Sequence, residues 1–252
     1  MSDNLSVVIC GYKGRMGQTL LAMAESENAT VVSQKDMGDS LCDGLDDAQA
    51  AIDFSFHSAT VELVETCSEK GIAVVIGTTG HTEEEKQRIL ACTQKIPVVW
   101  AGNYSIGVNL LFHLTETAAR VLGDRYQPEI MEIHHQHKKD APSGTAINLA
   151  EALEAAPAFN ESNRVYGREG DTGARTNEEI GVHALRGGEV IGEHTVFYFG
   201  ENDRIELTHR ASNRSIFASG AYRAAHWAAK QAPGLYNMRD VLGLTQTDQE
   251  EV

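Results

Sequence analysis

Positive charge is what this 252-residue chain has least of: 21 Lys and Arg stand against 36 Asp and Glu, a formal net charge of −15. A general nucleic-acid binder or a protein held on an anionic membrane carries a basic footprint, so neither partner is expected. Cysteine is scarce as well. Cys10, Cys42, Cys67 and Cys92 lie in the first hundred residues without C-x-x-C spacing, in apolar strand-like or helical surroundings. That argues against a disulfide framework or structural zinc and for small buried hydrophobes. No apolar run approaches the roughly 20 residues that cross a bilayer as a helix. MSDNLSVVIC has neither the basic leader nor the long apolar core of a signal peptide. The cytoplasm is the simple location. No internal repeat or low-complexity tract is present. What remains, 42% hydrophobic and 23% charged residues, is ordinary for a globular chain, and the length fits one large domain or two modest ones.

Against that acidic background one segment stands out. HHQHKKDAPSGT, from His134 to Thr145, brings together His134, His135, His137, Lys138, Lys139 and Asp140, then a helix start at Ser143-Gly144-Thr145. Imidazoles donate protons near neutral pH, ammonium groups hold carboxylates, and amides at a helix N-terminus favour anions. A solvated basic loop with a helix cap is the commoner meaning of such a cluster. Here PEIMEI before it reads as a strand and AINLAEALEAA after it as a helix, a junction where active sites are often placed. The segment is therefore expected to bind a small polyanion and protonate it. A histidine-only metal site is the weaker reading, because the neighbouring lysines repel a cation; no metal is expected.

The chain divides in two. Up to residue 105, strands LSVVIC, ATVVSQKD, AAIDFSF, IAVVIG and VVWAGNYS alternate with helical stripes, the pattern of a parallel sheet with crossover helices. Ser58 is the expected cap of the helix in SATVELVETCSEKG and Gly71 its stop; Thr82 and Glu85 form a capping-box pair before EEKQRILACTQK. After a helix in SIGVNLLFHLTETAARVLG, residues 179–211 read as antiparallel hairpins: EIGVHALRGG turns at Gly187-Gly188 into EVIGEHTVFYFG, which turns through Glu201-Asn202-Asp203 into RIELTHRAS. The polar stretch from Ala155 to Glu179 reads as a long loop. IFASGAYRAAHWAAKQ is a helix ended by Pro233-Gly234, and the acidic tail TQTDQEEV reads as disordered.

Gly11-Tyr12-Lys13-Gly14-Arg15-Met16-Gly17 follows a strand and opens a helix, the setting of a dinucleotide turn. Gly11 permits the tight turn, Gly14 a close approach to a pyrophosphate, and Gly17 close helix packing. Such spacing alone is a weak signal, but Asp36 closes the second strand, where an acid accepts hydrogen bonds from an adenosine ribose. Two more loops, Gly77 to Gly80 and Ala101 to Ser105, end strands on the same edge. Judged singly each is simple turn chemistry; three on one edge favour a cofactor.

In order along nearly the whole chain, G-x-x-G-R-M-G, GTTG, AGNYSIGVN, HHxHKxDAPSGT, ALRGGEVIGEHTVFY and THRASNRSIFASGA resemble the 4-hydroxy-tetrahydrodipicolinate (dihydrodipicolinate) reductase family. The resemblance implies reduction of a cyclic imine dicarboxylate by NADH or NADPH in the diaminopimelate route to lysine. It implies a Rossmann-like parallel-sheet nucleotide domain over residues 1–105 and 216–252, and a smaller α+β domain over 106–215 that binds substrate and forms a homotetramer through its sheet. Residue by residue, it makes His134 the proton donor and Lys138 its catalytic companion, with His135, Gly144 and Thr145 holding substrate carboxylates. Gly11, Tyr12, Lys13, Gly14, Arg15, Met16, Asp36, Gly77, Thr78, Thr79, Ala101, Gly102, Asn103 and Tyr104 line the cofactor. Hydride delivered to the unsaturated ring leaves an electron-rich enamine carbon that must be protonated, a task suited to an imidazolium beside a dianion.

Two departures from the family pattern bear on cofactor choice. Lys13 stands where a small residue is commonest, and Met37 follows Asp36 where some members carry an arginine suited to the 2′-phosphate of NADPH. Asp36 favours NADH, while Lys13 favours tolerance of NADPH. The sequence does not place Arg210 or Arg214. Another Rossmann oxidoreductase acting on an imino acid, or a dinucleotide sensor without turnover, are the alternatives; a sensor has no need of His134 and Lys138.

Overall fold

The structure is a computed structural model and describes residues 4–40 and 43–244. Residues 1–3, Cys42 and the tail TQTDQEEV lie outside the described residues. The chain runs β1 (Leu5–Cys10), α1 (Arg15–Met23), β2 (Ala29–Lys35), β3 (Ala50–Asp53), α2 (His57–Lys70), β4 (Ala73–Ile76), α3 (Glu83–Cys92) and β5 (Pro97–Trp100). It continues through α4 (Ile106–Leu122), β6 (Gln127–His134), α5 (Gly144–Glu154), β7 (Asn163–Val165), β8 (Glu179–Arg186), β9 (Gly192–Phe199) and β10 (Arg204–Ala211), and ends with α6 (Ser215–Ala228), β11 (Gly234–Tyr236) and α7 (Met238–Leu242). These elements form two compact units, Met1–Ile106 with Arg214–Val252, and Gly107–Asn213.

The first unit is built on a six-stranded sheet in the order β11-β5-β4-β3-β1-β2, parallel throughout. The inner strands are buried on both faces, which is why LSVVIC, AAID and AVVI are apolar without alternation. Val7 and Ile9 join the core cluster that contains α1 and α6, while Val8 joins the one that contains α2 and α3. β1 lies between β2 and β3, so the chain leaves it in both directions and opens a crevice at the carboxyl ends of the strands. Thr82 and Glu85 make the expected capping box, with Glu85 N donating to Thr82 Oγ1 at 3.2 Å and Thr82 N to Glu85 Oε2 at 2.7 Å. Gly71 ends α2 in the left-handed region at φ 72°. Ser58 is not the cap of α2: the helix starts one residue earlier, and extended Phe56 occupies the cap position without a side-chain bond. Asp53 organises this start instead, accepting from Thr60 Oγ1 at 2.6 Å, Ser55 N at 3.1 Å and the Ser55 hydroxyl. β11 and α7, which follow Pro233, carry too few residues for a periodic signal.

The second unit departs from the expected hairpins. Its five-stranded sheet has the order β10-β9-β6-β8-β7. β9 and β10 form the hairpin read from Glu201-Asn202-Asp203, but β8 and β9 do not pair. β6 lies between them, parallel to β8 and antiparallel to β9. The Gly187-Gly188 turn serves β6 instead: Gly187 N donates to His134 O at 3.0 Å and Gln136 N to Gly188 O at 3.2 Å. Within the long loop, β7 adds an edge strand to β8. β6 alternates half-buried and buried along its whole length. Of its buried residues, Ile130 shares a core with α4 and α5, and Tyr198 donates to Thr115 O at 2.6 Å to fasten α4. The opposite face of the sheet carries stacked Phe197 and Phe199, with Glu129 bound by Arg168, Arg175 and His183. Among the described residues no helix is long and apolar enough to cross a membrane.

Candidate active site

In the first unit the residues expected to line the cofactor gather at one edge because each group follows a parallel strand: Gly11 to Met16 follow β1, Asp36 follows β2, Gly77 to Thr79 follow β4, and Ala101 to Tyr104 follow β5. Gly11 holds φ 80°, and a Cβ there would lie 2.2 Å from Phe54 O; a Cβ on Gly17 would lie 2.2 Å from Gly11 O. Only glycine fits either place. The first turn of α1 contains no acidic residue, so its unpaired amides are left to attract an anion. Lys13 N donates to Asp36 Oδ2 at 2.9 Å and Met37 N to Asp36 Oδ1 at 2.8 Å, and these bonds hold the Asp36 carboxyl below the usual carboxylate range. Asp36 thus ties the glycine turn to β2, and each oxygen keeps a further acceptor site for a ribose. A cleft of about 610 Å³ opens here, bounded by Gly11, Gly14, Asp36, Met37, Ser55 and Phe56. Glycine cradle, helix start and acid together fit a dinucleotide.

Sequence reasoning missed Phe56, a 59% exposed ring at the cleft. The signal was available: it follows β3, the strand across the crevice from β2. Lys35 was missed too; its buried ammonium donates to Ser40 O at 2.6 Å and secures the loop beside the cleft. Tyr104 differs from its expected place on the cofactor surface. It is 1% exposed, its hydroxyl donates to Ile76 O and Val99 O, and Gly220 packs against its carbonyl. Its side chain belongs to the core. Asn103 accepts from Ser105 N at 2.8 Å, and Thr78 Oγ1 from Ser55 N at 2.9 Å.

In the second unit, the end of β6 delivers Glu132 and His134 to the covered face of the sheet. His134 is buried, and its Nδ1 lies 2.5 Å from Glu132 Oε2. Glu132 also accepts from both Arg186 Nη atoms at 2.9 and 2.8 Å and from Ser143 N at 3.1 Å. Burial pushes the Glu132 carboxyl up, but the bonds from His134 and Arg186 outweigh it and bring it to about 2. Arg186 further donates to Asp140 O at 2.7 Å, fixing the loop that carries Lys138, whose Nζ lies 2.8 Å from Asp140 Oδ2. Ser143 caps α5, accepting from Ala146 N at 3.2 Å, and its Oγ lies 3.1 Å from His194 Nε2. Gly144 is exposed and Thr145 half-buried at the helix start. His135 is half-buried, and its Nδ1 finds no partner among the described residues. Arg210, unplaced by sequence, lies 3.1 Å from Glu193; that register position alternates with His194 and His209 and so faces away from His134. Glu132, Arg186 and His194 were missed because 54 residues separate the first two and strand pairing alone joins them.

His194 carries a pH consequence. Burial, then the charge of His134, lowers it from 6.5 to about 3. Between those values the unfolded imidazole binds a proton that the folded one refuses, so stability is full above 6.5 and falls as the pH drops. Burial lowers His81 and His209 in the same direction. Glu129 and Glu132, held at about 2 against 4.5, add a further loss below 4.5. The thermal midpoint is expected to fall from pH 7 to pH 5, and by less in His194→Leu. Equal drops in both proteins would remove His194 from the account.

Residues 5–104 match the family described as "Dihydrodipicolinate reductase, N-terminus", and residues 107–242 match "Dihydrodipicolinate reductase, C-terminus". A 4-hydroxy-tetrahydrodipicolinate reductase of Akkermansia muciniphila is 50% identical over 96% of this chain and 99% of its own. One from Thiobacillus denitrificans is 46% identical over 96% and 99%. Among solved structures, a dipicolinate-bound dihydrodipicolinate reductase from Paenisporosarcina sp. TG-14 superimposes with a TM-score of 0.75 at 24% identity, covering 92% of this chain and 97% of that one, a likeness of fold. With both of its halves matched and close relatives aligned over almost their full length, the chain belongs to the dihydrodipicolinate reductase family.

Proposed function

We propose that this chain reduces 4-hydroxy-tetrahydrodipicolinate to tetrahydrodipicolinate with NADH or NADPH, in the diaminopimelate route to lysine. The observation that carries the reading is His134, buried yet joined to an ionised glutamate, in the same segment as Lys138 where β6 gives way to α5. The nicotinamide supplies the hydride. Gly11 to Met16 and Asp36 bind the cofactor in the first unit, with Gly77 to Thr79 and Ala101 to Asn103 on the same strand edge. In the second unit, Lys138, His135 and the amides of Gly144 and Thr145 hold the two substrate carboxylates. Lys138 sets fixed positive charge where negative charge develops, and His134 protonates the ring carbon. The reductase works in the cytoplasm as a homotetramer, assembled through the open face of the second sheet, where Met131, Leu185, Phe197 and Phe199 form an apolar field.

Freshly prepared substrate should drive oxidation of both cofactors, read as loss of reduced-nicotinamide absorbance. Cofactor binding without turnover would return the chain to the sensor reading. Both cofactors are expected to serve, with NADH at least equal to NADPH, because Asp36 repels a 2′-phosphate and the neighbouring Met37, 91% exposed, brings no charge. Lys13 is exposed in the glycine turn. Lys13→Ala should weaken NADPH more than NADH by about 1 kcal/mol, roughly fivefold in KM. A strong NADPH preference that survives the substitution would mean another cation reads the phosphate.

A further inference from the structure

Glu132 is fully buried, yet it meets donors from three places: the His134 ring on its own strand, the Arg186 guanidinium on β8, and the Ser143 amide at the start of α5. An ionised carboxylate accepts and cannot donate, so the imidazole nitrogen facing it must carry hydrogen. The other nitrogen, Nε2, is turned toward Gly192, where an added Cβ would stand 3.1 Å away. The strand neighbour with no side chain is the one beside that nitrogen.

We propose that Glu132, clamped by Arg186, is the positioning residue of the proton donor: it keeps hydrogen on His134 Nδ1 and makes Nε2 the atom that gives its proton to the substrate. This rests on the reading of His134 as the acid. In the transfer, the Nε2–H bond breaks as a C–H bond forms with the electron pair of the enamine, and the imidazolium becomes the neutral Nδ1–H tautomer. Water returns a proton to Nε2, and the ring need not turn. The second product of the same clamp is placement of Lys138, because the Arg186 fork that holds Glu132 also holds Asp140 O.

The charged and titratable groups facing the ring are Glu132 from β6, Arg186 from β8, His194 from β9 with its ring centroid 5.1 Å away, Lys138 from the following loop, and His209 on β10 beyond His194. Burial keeps His194 and His209 neutral near pH 7. Glu132 is the negative group in contact with the ring, and Arg186 and Lys138 are the cations on the neighbouring strand and loop.

The test is Glu132→Gln, with Glu132→Asp as the conservative partner. Glu132→Gln should lower kcat roughly 10²-fold, short of losing the acid itself. It should also move the basic limb of the kcat/KM profile down by about one pH unit or more and leave KM for NADH unchanged. Glu132→Asp keeps the charge and should restore the position of that limb. Nitrogen-15 NMR of neutral His134 should show the Nδ1–H tautomer in the wild type and a mixture in Glu132→Gln. A wild-type Nε2–H tautomer would overturn the proposal, and that measurement stands even if Glu132→Gln does not fold. So would a slow Glu132→Gln whose pH limb and tautomer are unmoved, since a merely structural residue behaves that way. A His134→Gln enzyme with normal turnover beside a wild-type Nδ1–H tautomer would instead sink the acid and leave the clamp in place.

Discussion

His134→Gln should lose roughly 10²–10⁴-fold in turnover, the usual worth of a positioned proton donor, while NADH binding stays as in the wild type. Glutamine is the informative replacement because its amide can still donate to Glu132. Alanine would strip a donor from a fully buried carboxylate and leave it to the Arg186 fork and the Ser143 amide, a change that costs stability as well as chemistry. The proposed cofactor residues belong to the first unit and His134 to the second, so a nucleotide titration by fluorescence separates the two effects. Near-normal turnover in this variant would exclude His134 as the essential acid.

The second large effect is expected at Lys138. Its ammonium is paired with the Asp140 carboxylate at 2.8 Å. Lys138→Ala removes a cation and also leaves Asp140 bare beside the place a dianionic substrate must approach. Turnover should fall roughly 10²–10³-fold, the scale of losing one charge-stabilising donor. KM for the substrate should rise with it, because the same charge serves both ground and transition states. Adding Asp140→Asn to Lys138→Ala should recover part of the substrate KM, since it removes the uncompensated charge. Loss of cofactor affinity alone would place Lys138 in a different site.

Much of this is legible in the amino-acid sequence. The parallel sheet showed in strands alternating with helical stripes, the α3 start in Thr82 and Glu85, and the glycine turn in its position between β1 and α1. The His134 segment gave itself away by the density of chemistry-bearing residues between a strand and a helix. What escaped was non-local. Gly187-Gly188 has the composition of a hairpin turn, and nothing near it tells that β6, far earlier in the chain, takes the place between β8 and β9. Glu129 and Glu132 look alike in PEIMEI. Only strand alternation, fixed by which face α4 and α5 cover, sends Glu132 under the helix and Glu129 to the open side. Tyr104 misled because a motif names residues without saying whether backbone or side chain is used.

The first unit is assembled from two separated stretches of chain, and this has a consequence for how the protein is made. Ala218, Ala221, Ala224, Ala225 and Ala228 of α6 complete the core around Val7, Ile9, Ile52 and Val75, and Tyr222 donates to Leu20 O at 2.7 Å. A nascent chain that has emerged only as far as β5 has one sheet face covered by α1 alone, its place for α6 still open. At roughly 5–20 residues per second, the wait for α6 is on the order of ten seconds. During that interval the glycine turn exists without the helix that stiffens its surroundings. The order of translation thus withholds a finished nucleotide fold until the His134 segment has already left the ribosome.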